Sequence, residues 1–185
     1  MKKVIVYISV VSMAAVLAGC STTSGGTPYK ASTHNVINIQ EQADGAKVRL
    51  LGFTTAAGVN ESPWCRANGP ISIGAGKTPA QFIHDALQEE LFMAQAYSPS
   101  SSTAISGRVD ALSFSSVTPA NWEISLTLSS STGASYKTAN KFDFDTSWTA
   151  ISACKNAADA FAPAVQDTLK KAVSDARFKT LFAQP

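Results

Sequence analysis

No stretch of this chain is apolar for long enough to stay in a bilayer as a helix. The longest run, Val4 to Leu17, has fourteen residues, against the roughly twenty that a hydrocarbon core requires. Histidine is scarce. His34 and His84 are the only two, and neither has a second His or Cys three or four positions away. That excludes the paired spacing by which a helix grips a zinc ion, and no metal or cofactor is expected. An excess of charge of one sign is lacking as well. Fifteen basic residues face thirteen acidic ones, so there is no basic stripe of the kind that nucleic acid requires. Gly74-Ala75-Gly76-Lys77-Thr78 closes like a phosphate loop, but the first glycine of that pattern would have to stand where Ile71 is. Pro79 would also take one helix-start N–H away from an anion. No Gly-x-Ser-x-Gly elbow occurs. His84 and Asp85 are adjacent, and neighbours on a helix do not face each other. The carboxylate pairs Glu89/Glu90 and Asp143/Asp145 read as solvated faces of a helix and a strand. No catalytic residue is expected, and an enzyme is not.

What is present begins at the amino end. Lys2 and Lys3 precede the apolar run, which leads into Leu17-Ala18-Gly19-Cys20. A short positive region, an apolar stretch of this length and small residues before a cut make an export signal. Leu-Ala-Gly-Cys resembles the lipobox of bacterial lipoproteins. The resemblance implies that residues 1–19 are removed, and that Cys20 carries a diacylglyceryl thioether and an acylated amino group, palmitate among the acyl chains. Two or more chains hold a protein at a membrane where one does not. Ser21 after the lipidated cysteine implies, by the same resemblance, transfer to the outer membrane. The domain would face the periplasm, with surface exposure as the other orientation.

Export changes the reading of the cysteines and the charge. With Cys20 lipidated, Cys65 and Cys154 remain in a compartment that favours disulfides, and they are expected to pair; two buried free thiols are the alternative. Lys2 and Lys3 leave with the signal, so thirteen basic residues balance thirteen acidic ones. Attachment to the membrane then depends on acyl chains and not on charge.

Residues 20–33 are rich in Ser, Thr and Gly and read as a lipidated flexible tether. Residues 34–185 suffice for one domain. Val36 to Ile39 and Ala46 to Phe53 read as strands, followed by a long loop to Lys77 with a short strand at Ile71 to Ile73. Thr78-Pro79-Ala80-Gln81 has the form of a capping box, opening a helix that carries Phe82, Ile83, Ala86, Leu87, Leu91 and Ala94 on one face and ends near Tyr97. Three strands follow, over Ala104–Val117, Asn121–Ser129 and Ser135–Thr146, with a turn at Ser130–Gly133. A last helix covers Ala150–Ala176, with Ile151, Cys154, Ala158, Phe161, Val165, Leu169 and Ala172 as its apolar stripe and a kink expected at Pro163. Phe178, Leu181 and Phe182 should fold back on the core. The expected architecture is α+β: a two-layer sandwich of an antiparallel sheet with two helices on one face.

A lipobox, a Ser/Thr/Gly tether and a β-α-β-β-β-α core resemble a group of small Gram-negative envelope lipoproteins. These include the YajG-like lipoproteins, the auxiliary lipoproteins of lipid-transport systems, and the lipoprotein partner of the lipopolysaccharide-insertion barrel. The resemblance implies an accessory subunit that docks onto a larger envelope assembly through a protein partner. An apolar groove between helices and sheet, holding a lipid or small apolar ligand, is the other reading. Trp64 and Arg66, beside Cys65, are the residues singled out for binding, since Trp and Arg are over-represented at hot spots; alternatively, Trp64 covers the disulfide.

Overall fold

The computed structural model describes residues 23–24 and 26–184; the export signal, the lipobox and Cys20 lie outside them. The centre of the fold is the antiparallel meander of β5 (Ala104–Ser115), β6 (Asn121–Ser130) and β7 (Ser135–Asp143). Trp122, Ile124, Leu126 and Leu128 alternate onto one face of β6, each at most 2% exposed, as a strand with one dry face requires. Gly133, at φ 98, takes the left-handed position that a tight turn between β6 and β7 reserves for glycine.

The sheet is mixed, which corrects the all-antiparallel expectation. Ala46 to Phe53 does not form one strand. It contributes β2 (Arg49–Leu50), and β3 (Thr54–Thr55) follows; both pair parallel with β5. A parallel neighbour needs a crossover, and α2 (Pro79–Met93) supplies it between β3 and β5. The capping box of α2 is complete: Gln81 N donates to Thr78 Oγ1 at 3.2 Å and Thr78 N to Gln81 Oε1 at 2.9 Å. The helix stops at Met93, short of Tyr97, and Gln95 turns the chain with φ 59.

There are more helices than the two expected. α1 (Thr33–Ala43) stands where Val36–Ile39 suggests a strand. Asn35, Ile39 and Ala43 are buried at helical spacing, and Asp44 ends the helix in the left-handed conformation before Gly45. A four-residue cluster with three β-branched residues is too short for periodicity to decide between helix and strand. The long last helix breaks at Ala160 into α3 (Ala150–Asp159) and α4 (Phe161–Ser174). Pro163 is the third residue of α4, where an N–H would have no intrahelical partner; a break upstream of the proline replaces the kink. Cys154, Ala158, Phe161, Val165, Leu169 and Ala172 are buried as the stripe predicts, but Ile151 is 72% exposed. Phe178, Leu181 and Phe182 form a buried 3-10 turn.

α2 packs on β5 and α4 on β6 and β7, while α1 rests on α2 and α4. A chain of ring contacts fills the interface between sheet and helices: Phe114 to Trp122 at 4.9 Å, Trp122 to Phe161 at 5.1 Å and Phe161 to Phe82 at 5.2 Å. The Trp122 indole N–H donates to the Ala157 carbonyl at 2.8 Å, which satisfies the polar end of a fully buried ring.

The ordered domain begins before residue 34, which corrects the tether boundary. β1 (Thr23–Ser24) pairs parallel with β4 (Ile71–Ser72). Tyr29 stacks edge-on to Phe82 at 6.2 Å, and Gln166 Nε2 donates to the Lys30 carbonyl at 2.8 Å. The Cys65–Cys154 disulfide is formed, across a Cα separation of 5.8 Å. It ties the loop between β3 and β4 to α3, and both cysteines are fully buried.

Candidate functional site

Glu90 is 0% exposed, against the solvated face expected of it. It follows Leu87 by three and Ala86 by four, both on the buried stripe of α2, so helical phase alone turns it inward. Three donors from the preceding segment converge on one oxygen. Oε1 accepts the Tyr29 hydroxyl, Asn35 Nδ2 at 2.8 Å and Ser32 N at 3.3 Å. Oε2 has no partner among the described residues, and neither has Asn35 Oδ1. Burial pushes the Glu90 carboxyl above the ordinary glutamate range, against the hydrogen bonds from Tyr29 and Asn35, which pull it down. Burial, with the Glu90 charge second, likewise pushes the Tyr29 hydroxyl up. A carboxyl sealed from solvent cannot meet a substrate. Its chemistry is that of an anchor, which fastens residues 29–35 to α2. Nothing in the spacing of Glu90 announces these partners, which lie 55 to 61 residues earlier.

The other carboxylates and histidines of interest stay apart from it. Asp143 and Asp145 are exposed, as expected. His84 does touch its neighbour: Nδ1 lies 2.9 Å from Asp85 Oδ1, which corrects the expectation that the two do not meet. Phe53 stacks edge-on to the same imidazole at 5.4 Å, and Lys77 Nζ reaches Asp85 at 2.7 Å. Burial would raise the Asp85 carboxyl, but the hydrogen bonds from Lys77 and His84 prevail and hold it below the ordinary range. His34 lies at the start of α1, with Nε2 at 3.1 Å from Asn38 Nδ2. Among the described residues no group of three or more His, Cys, Asp or Glu is placed to hold a metal ion.

The loop around the disulfide gathers the two residues singled out for binding, in different roles. Arg66 has φ 51 and turns its guanidinium inward on two loops. Nη2 donates to the carbonyls of Ser116 at 2.5 Å and Ser147 at 3.2 Å, Nη1 to the carbonyl of Trp148 at 3.2 Å, and Nε to Ser116 Oγ at 3.2 Å. It braces the end of β5 against the approach to α3. Trp64 is 66% exposed, with most of its surface in water. The residue that the sequence reading missed is Trp148, at 101% relative exposure. Together with Val117 it borders an open cleft of about 370 Å³ whose floor Arg66 organises. Val117 is 59% exposed. A Ser-Trp-Thr sequence just ahead of a helix gives no sign that its ring is left in water.

A second exposed apolar group lies at the opposite end of the sheet. α2 ends on Phe92 and Met93, at 68% and 57% exposure, and Leu51 is at 42%. Val48 N reaches the Ala96 carbonyl and Leu51 N the Ile105 carbonyl, at 2.9 and 2.8 Å. This group therefore sits where β5 begins, while Val117 and Trp148 follow the strand ends at Ser115 and Asp143. Between the two ends, the helix–sheet interface is filled by the side chains already named.

No family model matches the chain, and no curated protein matches it. Among solved structures, the chain is similar to the crystal structure of protein XCC0632 from Xanthomonas campestris, described by the family model DUF330. The TM-score is 0.51 at 12% identity, over 73% of this chain and 85% of that one. At that identity the likeness is one of fold, and it agrees with the α+β architecture described above.

Proposed function

We propose that the chain is a non-catalytic envelope lipoprotein, held at the outer membrane by acyl chains on Cys20 with its domain on the periplasmic side, and that it is an accessory or docking subunit of a larger envelope assembly. The observation that carries this reading is the placing of exposed apolar side chains at the two ends of a packed, disulfide-closed domain, with the only described carboxyl that is fully buried used as an anchor. Phe and Met are enriched at protein interfaces, and Met adapts its shape to a partner. The end with Leu51, Phe92 and Met93 is therefore the surface offered to a protein. The lipid confines the domain to a plane and raises its effective concentration near other membrane proteins. The filled interface between helices and sheet favours docking over the carriage of a lipid.

A photo-crosslinking residue at position 92 of the full chain, expressed in cells, tests this. One reproducible protein partner, lost when Cys20→Ala removes the lipidation site, is the expected result. A blank from position 92 in the lipidated protein, or turnover of an envelope substrate by the purified protein, overturns it.

A further inference from the structure

The entry of the chain into the domain and the tryptophan-bearing end coincide. β1 pairs Thr23 with Ile71 and Ser24 with Ser72 in parallel. Thr23 is therefore the end of β1 that lies beside Ile71, the residue that follows Pro70. Pro70 is bridged to Trp64, and Cys65 N donates to the Gly69 carbonyl at 2.9 Å. The same direction can be read against α3, on which β1 packs. A Cβ on Gly26 would lie 3.6 Å from the carbonyl of Ala158, near the end of that helix. Cys154, bonded to Cys65, is a turn closer to its start. Gly26 thus marks the Ala158 end of α3, and Thr23 lies the other way along β1, toward the end of α3 that carries Cys154 and Ile151 and that Trp148 precedes.

Cys20 is three residues before Thr23. Three residues span at most about 11 Å when fully extended. Acyl chains on Cys20 would thus enter the bilayer no farther than that from the point where the backbone joins the sheet. Four of the eight large apolar side chains exposed among the described residues lie at this end: Trp64, Val117, Trp148 and Ile151. The Arg66 brace holds the loops that carry Val117 and Trp148.

We propose that this end of the domain is a membrane-contact surface, seated on the bilayer that holds the acyl chains of Cys20, with Trp64 and Trp148 at headgroup depth. The proposal rests on the lipoprotein reading. Indole rings collect at membrane–water interfaces because one part of the ring is apolar and the N–H stays wet. A chain so short between lipid and fold cannot let the domain turn away freely. Once Lys2 and Lys3 leave with the signal, thirteen basic residues balance thirteen acidic ones, so the contact is apolar and does not depend on anionic lipid. It also orients the domain, turning Phe92 and Met93 away from the membrane toward a protein partner.

The test uses the full chain as processed and purified from cells in detergent, then added to preformed phosphatidylethanolamine/phosphatidylcholine vesicles by detergent dilution. Intact mass reports acylation. Tryptophan emission is read with lipids brominated near the headgroup, and separately with iodide in the aqueous phase. Trp122, 0% exposed, is the internal control, isolated in a Trp64→Phe/Trp148→Phe variant. The expected result is a blue-shifted emission that brominated lipid lowers, as follows for indoles at the interface, with iodide protection. The double variant should lose the quenching. If the protein is acylated but Trp64 and Trp148 stay open to iodide and unquenched by lipid, the contact is overturned and the lipoprotein reading stands. Shielding from iodide without lipid quenching overturns it in favour of a protein or a second copy on this face. A mass without acyl chains overturns both.

Discussion

Removing the disulfide should cost this domain much of its stability, and the size of the loss follows from where the bridge falls. Cys65 and Cys154 are 89 residues apart. In the chain-entropy model, closing a loop of that length removes about 15 cal/mol/K from the unfolded chain, or about 4.6 kcal/mol at 25 °C. A Cys65→Ala/Cys154→Ala variant keeps the packing nearly intact and leaves no thiol to reoxidise. For a domain of about 160 residues, each kcal/mol moves Tm by roughly 2–4 °C, so the variant should melt roughly 9–18 °C lower. The assay is thermal and urea unfolding of the variant beside the oxidised wild type, with the reduced wild type as a second reference. Arg66 sits next to Cys65 and braces the same loop, so Arg66→Ala should not be additive with loss of the disulfide. A drop in Tm of only a few degrees, or strict additivity with Arg66→Ala, would refute the reasoning. It would mean that β4 and the loop hold their place without the bridge.

Two further perturbations read other parts of the fold. Burial raises the Glu90 carboxyl above its value in the unfolded chain. The folded state therefore holds its proton longer, and stability is fullest below the ordinary glutamate range and falls as pH rises through the folded value. Glu90→Gln keeps an acceptor for Tyr29 and Asn35 without the charge, so urea unfolding should find it more stable than wild type at pH 8 and less dependent on pH; an unchanged slope between pH 5 and 8 would show that Glu90 is not its source. At Gly107, a Cβ would lie 2.4 Å from the ring of Phe53, so Gly107→Ala should cost about 1–3 kcal/mol of overpacking, part of it recovered in a Phe53→Ala background; equal losses in both backgrounds would contradict the contact.

How much of this could be read from the chain differs by kind of signal. Where one periodicity acts over a long segment, the reading holds: the capping box at Thr78–Gln81 and the alternation of Trp122, Ile124, Leu126 and Leu128 both appear as written in the sequence. Short apolar clusters carried too few positions to fix a period. Val36–Ile39 therefore read as strand, although Asn35, Ile39 and Ala43 bury a helical face. The parallel strands β2 and β3 were hidden for a related reason, since two residues cannot show a pattern and their pairing with β5 is fixed by the α2 crossover. Pro163 signals a disturbance in the sequence, but nothing there says that the chain restarts a helix two residues ahead of it.

The sites were less legible, because each depends on contacts distant in sequence. Two partners of Glu90, Tyr29 and Ser32, stand on the segment that reads as tether, and the third, Asn35, just beyond it: Ser and Thr there suggest disorder, and Tyr29 and Asn35 acquire meaning only once Phe82 and Glu90 are beside them. Trp64 and Arg66 could be noticed as a pair, yet the structure separates them into an exposed ring and an inward brace. It is the brace that gives the pair its consequence. By fixing the carbonyls of Ser116, Ser147 and Trp148, Arg66 holds two loops from different strands beside the point where the chain enters. The same side chain that looked like a hot spot thus acts one step earlier, by placing Val117 and Trp148 where a surface can use them. On this argument Arg66→Ala should weaken the membrane contact of Trp148 even though the arginine itself touches no lipid, and lipid quenching of Trp148 in that variant is the measurement on which the argument stands.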